Sequence, residues 1–252
     1  MSEWRAIFDS SNSWKDIIDT YNDRLNLLRD VMPETSNAFD ATRDIPMYGT
    51  DGDSDRSRLV SSIYIYACAQ FNVSRQAVNA IITMWKDGLF ILLPLNTRYV
   101  LEVWSAMHYA HKLFMKTTNG YNLDELRINI QKLTLGARSN TWEYWGTSDA
   151  KSHNIMKFIQ HLDKDENGVE DQYNFLSEAS HPNLVQSGYL QLMGPPISKW
   201  NEAAFKENAI PLLDRTLCCL ESSDKGIQRI FQELAPAALA FILKERGISN
   251  VP

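Results

Sequence analysis

From Leu95 to Lys116 the chain places apolar side chains on almost every side of a helix. Tyr99, Val100, Leu101, Val103, Trp104 and Met107 cover most of its circumference. A helix without a broad polar face is stable in water only when other elements surround it. The chain is therefore expected to pack further helices around this one. Crossing a membrane is not the alternative. The longest unbroken apolar stretch, Leu89 to Leu95, is seven residues and includes Pro94, whereas a membrane-spanning helix needs about 20.

The other segments supply the surrounding helices. Trp14, Ile17, Ile18, Tyr21, Leu25 and Leu28 recur at spacings of three, four and seven, one face of an amphipathic helix that ends before Pro33. Residues 33–55 hold Pro33, Pro46, Gly49, Gly52 and several aspartates, the composition of a connector. A helical pattern resumes near Arg56 with Leu59, Ile63, Tyr66 and Ala67, and Ser74 reads as the N-cap of a separate helix through Trp85. Leu123 to Leu135 is helical and closed by Gly136. Asp149–Leu162 and Glu170–Ser180 follow. Gly194-Pro195-Pro196 is a break. Ser198 reads as the cap of a helix to about Leu220. Asp224 begins a last one, kinked or restarted at Pro236 and stopped by Gly247. The expected fold is all-α, an irregular multi-helix bundle of about eight helices around the central apolar helix.

With 252 residues, 44% of them apolar, the chain can bury a substantial core. Its net charge is −6, and residues 1–58 carry 12 acidic against 7 basic side chains. Two regions are expected: an acidic N-terminal helix and connector at 1–58, and a main helical domain at 59–252 that is either separate or continuous with it. The charge balance disfavours nucleic acid as a partner while leaving room for a local basic patch. Cys68, Cys218 and Cys219 make a poor disulfide framework and suit a reducing compartment. Met1-Ser2-Glu3-Trp4-Arg5 does not read as a signal peptide. A soluble, cytoplasmic protein is expected, with a protein partner or a second copy of itself and no membrane.

Two polar pairs interrupt the apolar pattern. Arg98, Glu102, Ser105 and Tyr109 form a polar stripe at spacings of four, three and four. Arg98 and Glu102 stand about 6 Å apart along a helix axis, within reach of an ion pair. Tyr173, Ser177 and His181 share another face at spacings of four. Pro182 disfavours helix at His181, so the helix ends there. The helix dipole favours the charged imidazole, which titrates near neutral pH. If the two faces meet, Arg98, Glu102, Ser177 and His181 are one cluster, either a candidate catalytic site or a structural polar lock.

The Arg98-x-x-x-Glu102 helix followed by Tyr173-x-x-Leu176-Ser177-x-x-x-His181-Pro182 resembles an uncharacterised family of bacterial helical proteins. Some of these are grouped with HEPN-type domains, which are nucleotide-binding and ribonuclease helical domains. The resemblance covers residues 75–193. It implies a helical fold and, as one function, a nuclease or nucleotide-binding protein of bacterial or phage conflict. There Arg98 would hold phosphate, His181 would act as acid or base, and Glu102 would orient Arg98. The chain departs from the ribonuclease pattern, an arginine and a histidine on one helix with four to six residues between them. None of His108, His111, His153, His161 and His181 has an arginine five to seven positions before it. The other reading is a regulatory or interaction protein.

Remaining motifs are weaker. His108 and His111 lack the further ligand that a zinc site needs. Asp163-Lys164-Asp165-Glu166-Asn167-Gly168 matches the first half of an EF-hand loop, but Asn174 stands where the bidentate glutamate belongs, so a solvated acidic turn is expected. Asp51-Gly52-Asp53-Ser54-Asp55 is followed by Arg56 in place of the turn glycine. Trp142-Glu143-Tyr144-Trp145 reads as a connector packed on the core. No phosphate-binding glycine loop and no nucleophile elbow is present. No metal and no cofactor are expected.

Overall fold

The computed structural model describes residues 12–30, 53–87, 89, 92–119, 122–134, 154–180 and 202–247. Among these residues there are seven α-helices and no strand. They are α1 (Asn12–Asp30), α2 (Asp55–Lys86), α3 (Leu93–Thr118), α4 (Leu123–Thr134), α5 (Ile155–Asp163), α6 (Val169–Ser180) and α7 (Glu202–Glu245). Gly136, Ser198, Gly194-Pro195-Pro196 and the Trp142–Trp145 run lie outside the described residues, as does His181.

Caps account for most of the described helix starts. The Ser54 hydroxyl accepts from the Ser57 amide at 3.1 Å, and Asp55 places a carboxylate in the first turn of α2. Asn122 accepts from the Asp124 amide at 2.9 Å ahead of α4, and Asn154 accepts from the Met156 amide at 3.2 Å ahead of α5. Gly168 adopts a φ of +90° just before α6, and Gly247 a φ of +70° just after α7. Both lie in the left-handed region, where glycine carries no Cβ penalty.

The breaks expected at Ser74 and between Leu220 and Asp224 are absent, and α7 does not restart at Pro236. Helix α2 runs unbroken through Ser74, and α7 through Asp224 and Pro236. The buried stripe of α2 shows why: Ile63, Ala67, Phe71, Ser74, Val78, Ile81 and Trp85 follow one another at helical spacing with no gap. Ser74 belongs to that stripe and is fully buried, so its hydroxyl does not open a new helix. In α7, Leu217, Leu220, Ile227, Ile230, Leu234, Ala238 and Ile242 continue a core face past both residues. A mid-helix proline costs roughly 3 kcal/mol, and burying several Leu and Ile side chains at about 1.5–3 kcal/mol each exceeds that.

Helix α3 is apolar along most of its length, with one correction. Val100, Leu101, Val103, Trp104 and Met107 are buried, but Tyr99 is 45% exposed.

The chain divides into two compact units, and divisions fall inside α2, α3 and α7 and after the first residue of α6. Unit 1 comprises Met1–Pro33, Ser74–Leu101 and Glu170–Asp224. There α1 buries Tyr21, Leu25 and Leu28. Tyr21 meets Trp85 edge-on at 5.3 Å between ring centroids, and the Trp85 indole N–H donates to Asn22 at 2.9 Å. Arg24 donates through Nε and Nη2 to the two oxygens of Glu221 at 2.7 and 3.2 Å, and through Nη1 to Asp214 at 3.2 Å. This fork geometry is specific to arginine.

Unit 2 comprises Glu34–Val73, Glu102–Val169 and Lys225–Pro252. Its core includes a stacked pair, Phe71 and Phe231, with centroids 4.2 Å apart. Gly226 lies flat against the Trp104 indole, where a Cβ would overlap the ring. Arg246 closes the end of α7 onto Asp53 with two bonds of 3.0 and 2.8 Å, and both side chains are largely buried.

Candidate functional site

The expected cluster is partly assembled in unit 1. Arg98 leaves α3 half-buried, and its Nη2 donates to the Tyr173 hydroxyl at 2.8 Å. Its Cζ lies 4.9 Å from the Tyr173 ring centroid, so the guanidinium also rides the edge of the aromatic face. Ser177 sits one turn beyond Tyr173 on α6. Its hydroxyl donates to the Tyr173 carbonyl at 2.7 Å, a bond within its own helix. Tyr173 thus gathers both residues, one on its side chain and one on its backbone. Glu102 follows Arg98 by one turn of α3 and is half-buried, and its carbonyl accepts from the Ser105 hydroxyl at 2.8 Å.

A buried ion pair in unit 1 was not legible from spacing. Arg75 in α2 pairs with Asp224 in α7, and both are almost wholly buried. Burial holds the Arg75 pKa below the usual guanidinium value.

Unit 2 holds the denser group of titratable side chains. His108, on the buried side of α3, places Nε2 2.9 Å from Oδ2 of Asp165. Lys112, one turn later, places Nζ 2.8 Å from the same oxygen. Nε2 of His108 therefore carries the proton that the carboxylate accepts, which leaves Nδ1 as a bare acceptor. That Nδ1 is buried with no hydrogen-bond partner among the described residues. Burial holds the pKa of His108 below the ordinary histidine value, against the pull of Asp165. The hydrogen bond from Lys112 does most to hold the Asp165 carboxyl below its usual range.

The rest of the group extends from there. His111 faces Glu233 of α7 across 4.0 Å. Glu166 pairs with Arg229 of α7. Tyr109 packs on Phe158 of α5 and on His161, with centroids 5.0 and 5.6 Å apart, and its hydroxyl reaches Asn129 of α4 at 3.3 Å.

Both acidic runs carry ion pairs. Asp165 and Glu166 lie in the expected turn, Asp165 exposed within it, and they also pair with His108, Lys112 and Arg229. Asp53 and Asp55 are paired with Arg246 and Arg127. Among the described residues no group of three or more His, Cys, Asp or Glu side chains is placed to hold a metal ion. Among them, too, no helix is long and apolar enough to cross a membrane.

No family model, no curated protein and no solved structure matches the chain. What the fold defines is the class, an all-helical protein in its described part.

Proposed function

We propose that the chain is a helical regulatory or interaction protein, with Arg98, Tyr173 and Ser177 as a structural lock rather than a reaction centre. One observation carries this reading: the Arg98 guanidinium is committed to the hydroxyl and ring of Tyr173. A side chain that holds phosphate or shuttles a proton must reach a substrate directly or through one water. The Ser177 hydroxyl is likewise spent on its own helix. In this reading α3 is the central helix of a bundle of about eight, and the protein is soluble, cytoplasmic and bacterial. It acts on a protein partner or a second copy of itself. The exposed pair Leu95 and Tyr99, one turn apart on α3, is the first place to seek that contact.

The test pairs wild type with Arg98→Ala and His181→Ala and measures thermal stability and RNA cleavage together. A lock predicts that Arg98→Ala lowers the melting temperature and that wild type does not cleave. Cleavage by wild type that either substitution abolishes at unchanged stability would establish the HEPN-like nuclease reading instead.

A further inference from the structure

The chain is acidic overall, with 31 aspartates and glutamates against 25 lysines and arginines. Two long runs depart from that balance: no aspartate or glutamate occurs from 103 to 123 or from 150 to 162. The fold of unit 2 brings these runs together. Tyr109 of α3 meets Phe158 and His161 of α5, with ring centroids 5.0 and 5.6 Å apart.

Helical spacing sets what each run shows beside that seam. On α3, Lys112 follows Tyr109 by three residues and Lys116 follows Lys112 by four, so the three share a face. On α5, His161 follows Lys157 by four residues, and Lys164 follows His161 by three as the C-cap residue. All four lysines are exposed and His161 is half-buried. All four ammonium groups act on its ring. Met115 stands beside Lys116 and one turn from Lys112, and it is 46% exposed. The result is a basic surface with an apolar side chain within it. The nearest acids in sequence, Asp163 and Asp165, flank Lys164. Asp165 shows what such a surface takes, since Nζ of Lys112 lies 2.8 Å from one of its carboxylate oxygens.

We propose that this face of α3 and α5 is a docking surface for an acidic peptide segment of a partner protein. Lys112, Lys116, Lys157 and Lys164 meet its carboxylates, and Met115 meets an apolar side chain between them. The inference rests on the interaction-protein reading above and names the chemistry of the partner, through residues other than Leu95, Arg98 and Tyr99.

The surroundings favour a peptide over a nucleic acid. A net charge of −6 opposes an extended polyanion, whereas a short segment meets mainly the local field, because salt confines exposed charges to about 8 Å at physiological strength. Tyr109 and Phe158, the aromatic rings at the seam, are buried and offer no face on which bases could stack. An exposed methionine is typical of protein interfaces and has no part in holding phosphate.

Fluorescence anisotropy with the full chain tests this. One probe is a labelled peptide of repeating Glu-Glu-Leu, and the other is a labelled oligothymidine strand of equal charge, both at low salt. Lys116→Gln/Lys157→Gln/Lys164→Gln removes three of the four cations and keeps the bond from Lys112 to Asp165. An exposed charge pair changes affinity by up to about fivefold, so this variant is expected to bind the peptide at least about tenfold more weakly. The control Lys86→Gln/Lys225→Gln/Lys244→Gln removes the same charge from exposed positions on α2 and α7. Its expected loss is below about twofold. Met115→Ser is expected to weaken the peptide several-fold and to leave the strand unchanged. Four outcomes overturn the proposal: no peptide binding by wild type, an equal loss in the control, a Met115→Ser protein that binds the peptide like wild type, or a strand bound more tightly than the peptide. Should the triple variant fail to fold, Lys116→Gln and Lys157→Gln singly are each expected to cost about two- to fivefold, and unchanged affinity in both overturns the proposal equally. RNA cleavage, which decides the reading above, is not measured in this assay, so the docking surface fails alone when the peptide does not bind.

Discussion

Replacing Asp224 with alanine is expected to be among the most damaging single changes in the chain. Its carboxylate pairs with Arg75, and neither side chain has appreciable contact with solvent. The substitution removes a carboxylate that offsets the guanidinium while leaving that guanidinium in place. Burial alone already disfavours the charged form of Arg75, and an arginine cannot escape by losing its proton as a buried lysine does. Breaking a buried pair from one side costs about 3–5 kcal/mol. For a chain of this size each kcal/mol lowers Tm by about 2–4 °C, so the expected loss is roughly 6–20 °C. Calorimetry of wild type, Asp224→Leu, Arg75→Leu and the Arg75→Leu/Asp224→Leu double variant closes a thermodynamic cycle, with Asp224→Ala measured beside it. The double variant is expected to recover most of the loss, because a buried ion pair and an apolar pair of similar volume are often close in stability. An Asp224→Ala protein within about 1 kcal/mol of wild type would refute this argument, and so would a double variant less stable than either single one.

Gly226→Ala is expected to destabilise by about 1–3 kcal/mol in urea unfolding. At an open helical site the same change would stabilise by roughly 1 kcal/mol, so the sign alone reports whether the Trp104 ring is as close as described. Tyr21→Phe removes the hydroxyl that donates to Asp214 at 2.9 Å and is expected to cost about 1 kcal/mol by the same measurement. Thiol titration of the native protein at pH 8 is expected to find a single fast cysteine among the three described, Cys218, which is exposed. Burial pushes Cys68 and Cys219 up to about 11, and both should react only on unfolding.

The helical class and several helix ends were legible because they are written locally. Apolar residues at spacings of three and four mark α1, α3 and α6, and Gly247 ends α7 where its left-handed φ is needed. The missed features are those that local signals describe wrongly. Ser74 and Asp224 resemble caps, yet each lies on a buried stripe whose packing outweighs local preference. The histidine group escaped for a different reason. His108 and Asp165 are far apart in sequence and meet only through the packing of α3 against the turn after α5. The pairings of Asp165 and Glu166, and of Asp53 and Asp55, were not legible because nothing near them in sequence names the distant arginine, lysine or histidine that each one meets.

The bond from Arg246 to Asp53 spans 193 residues of chain. Closing a flexible loop of that length costs roughly 4–5 kcal/mol of entropy by ideal-chain scaling. A contact so distant is favourable only after intervening structure has shortened the effective loop, so it belongs to the late side of the folding barrier. Weakening it should leave the refolding rate nearly unchanged and speed unfolding. The fork that joins α7 to the start of α2 thus governs how long a folded molecule lasts more than how quickly one forms.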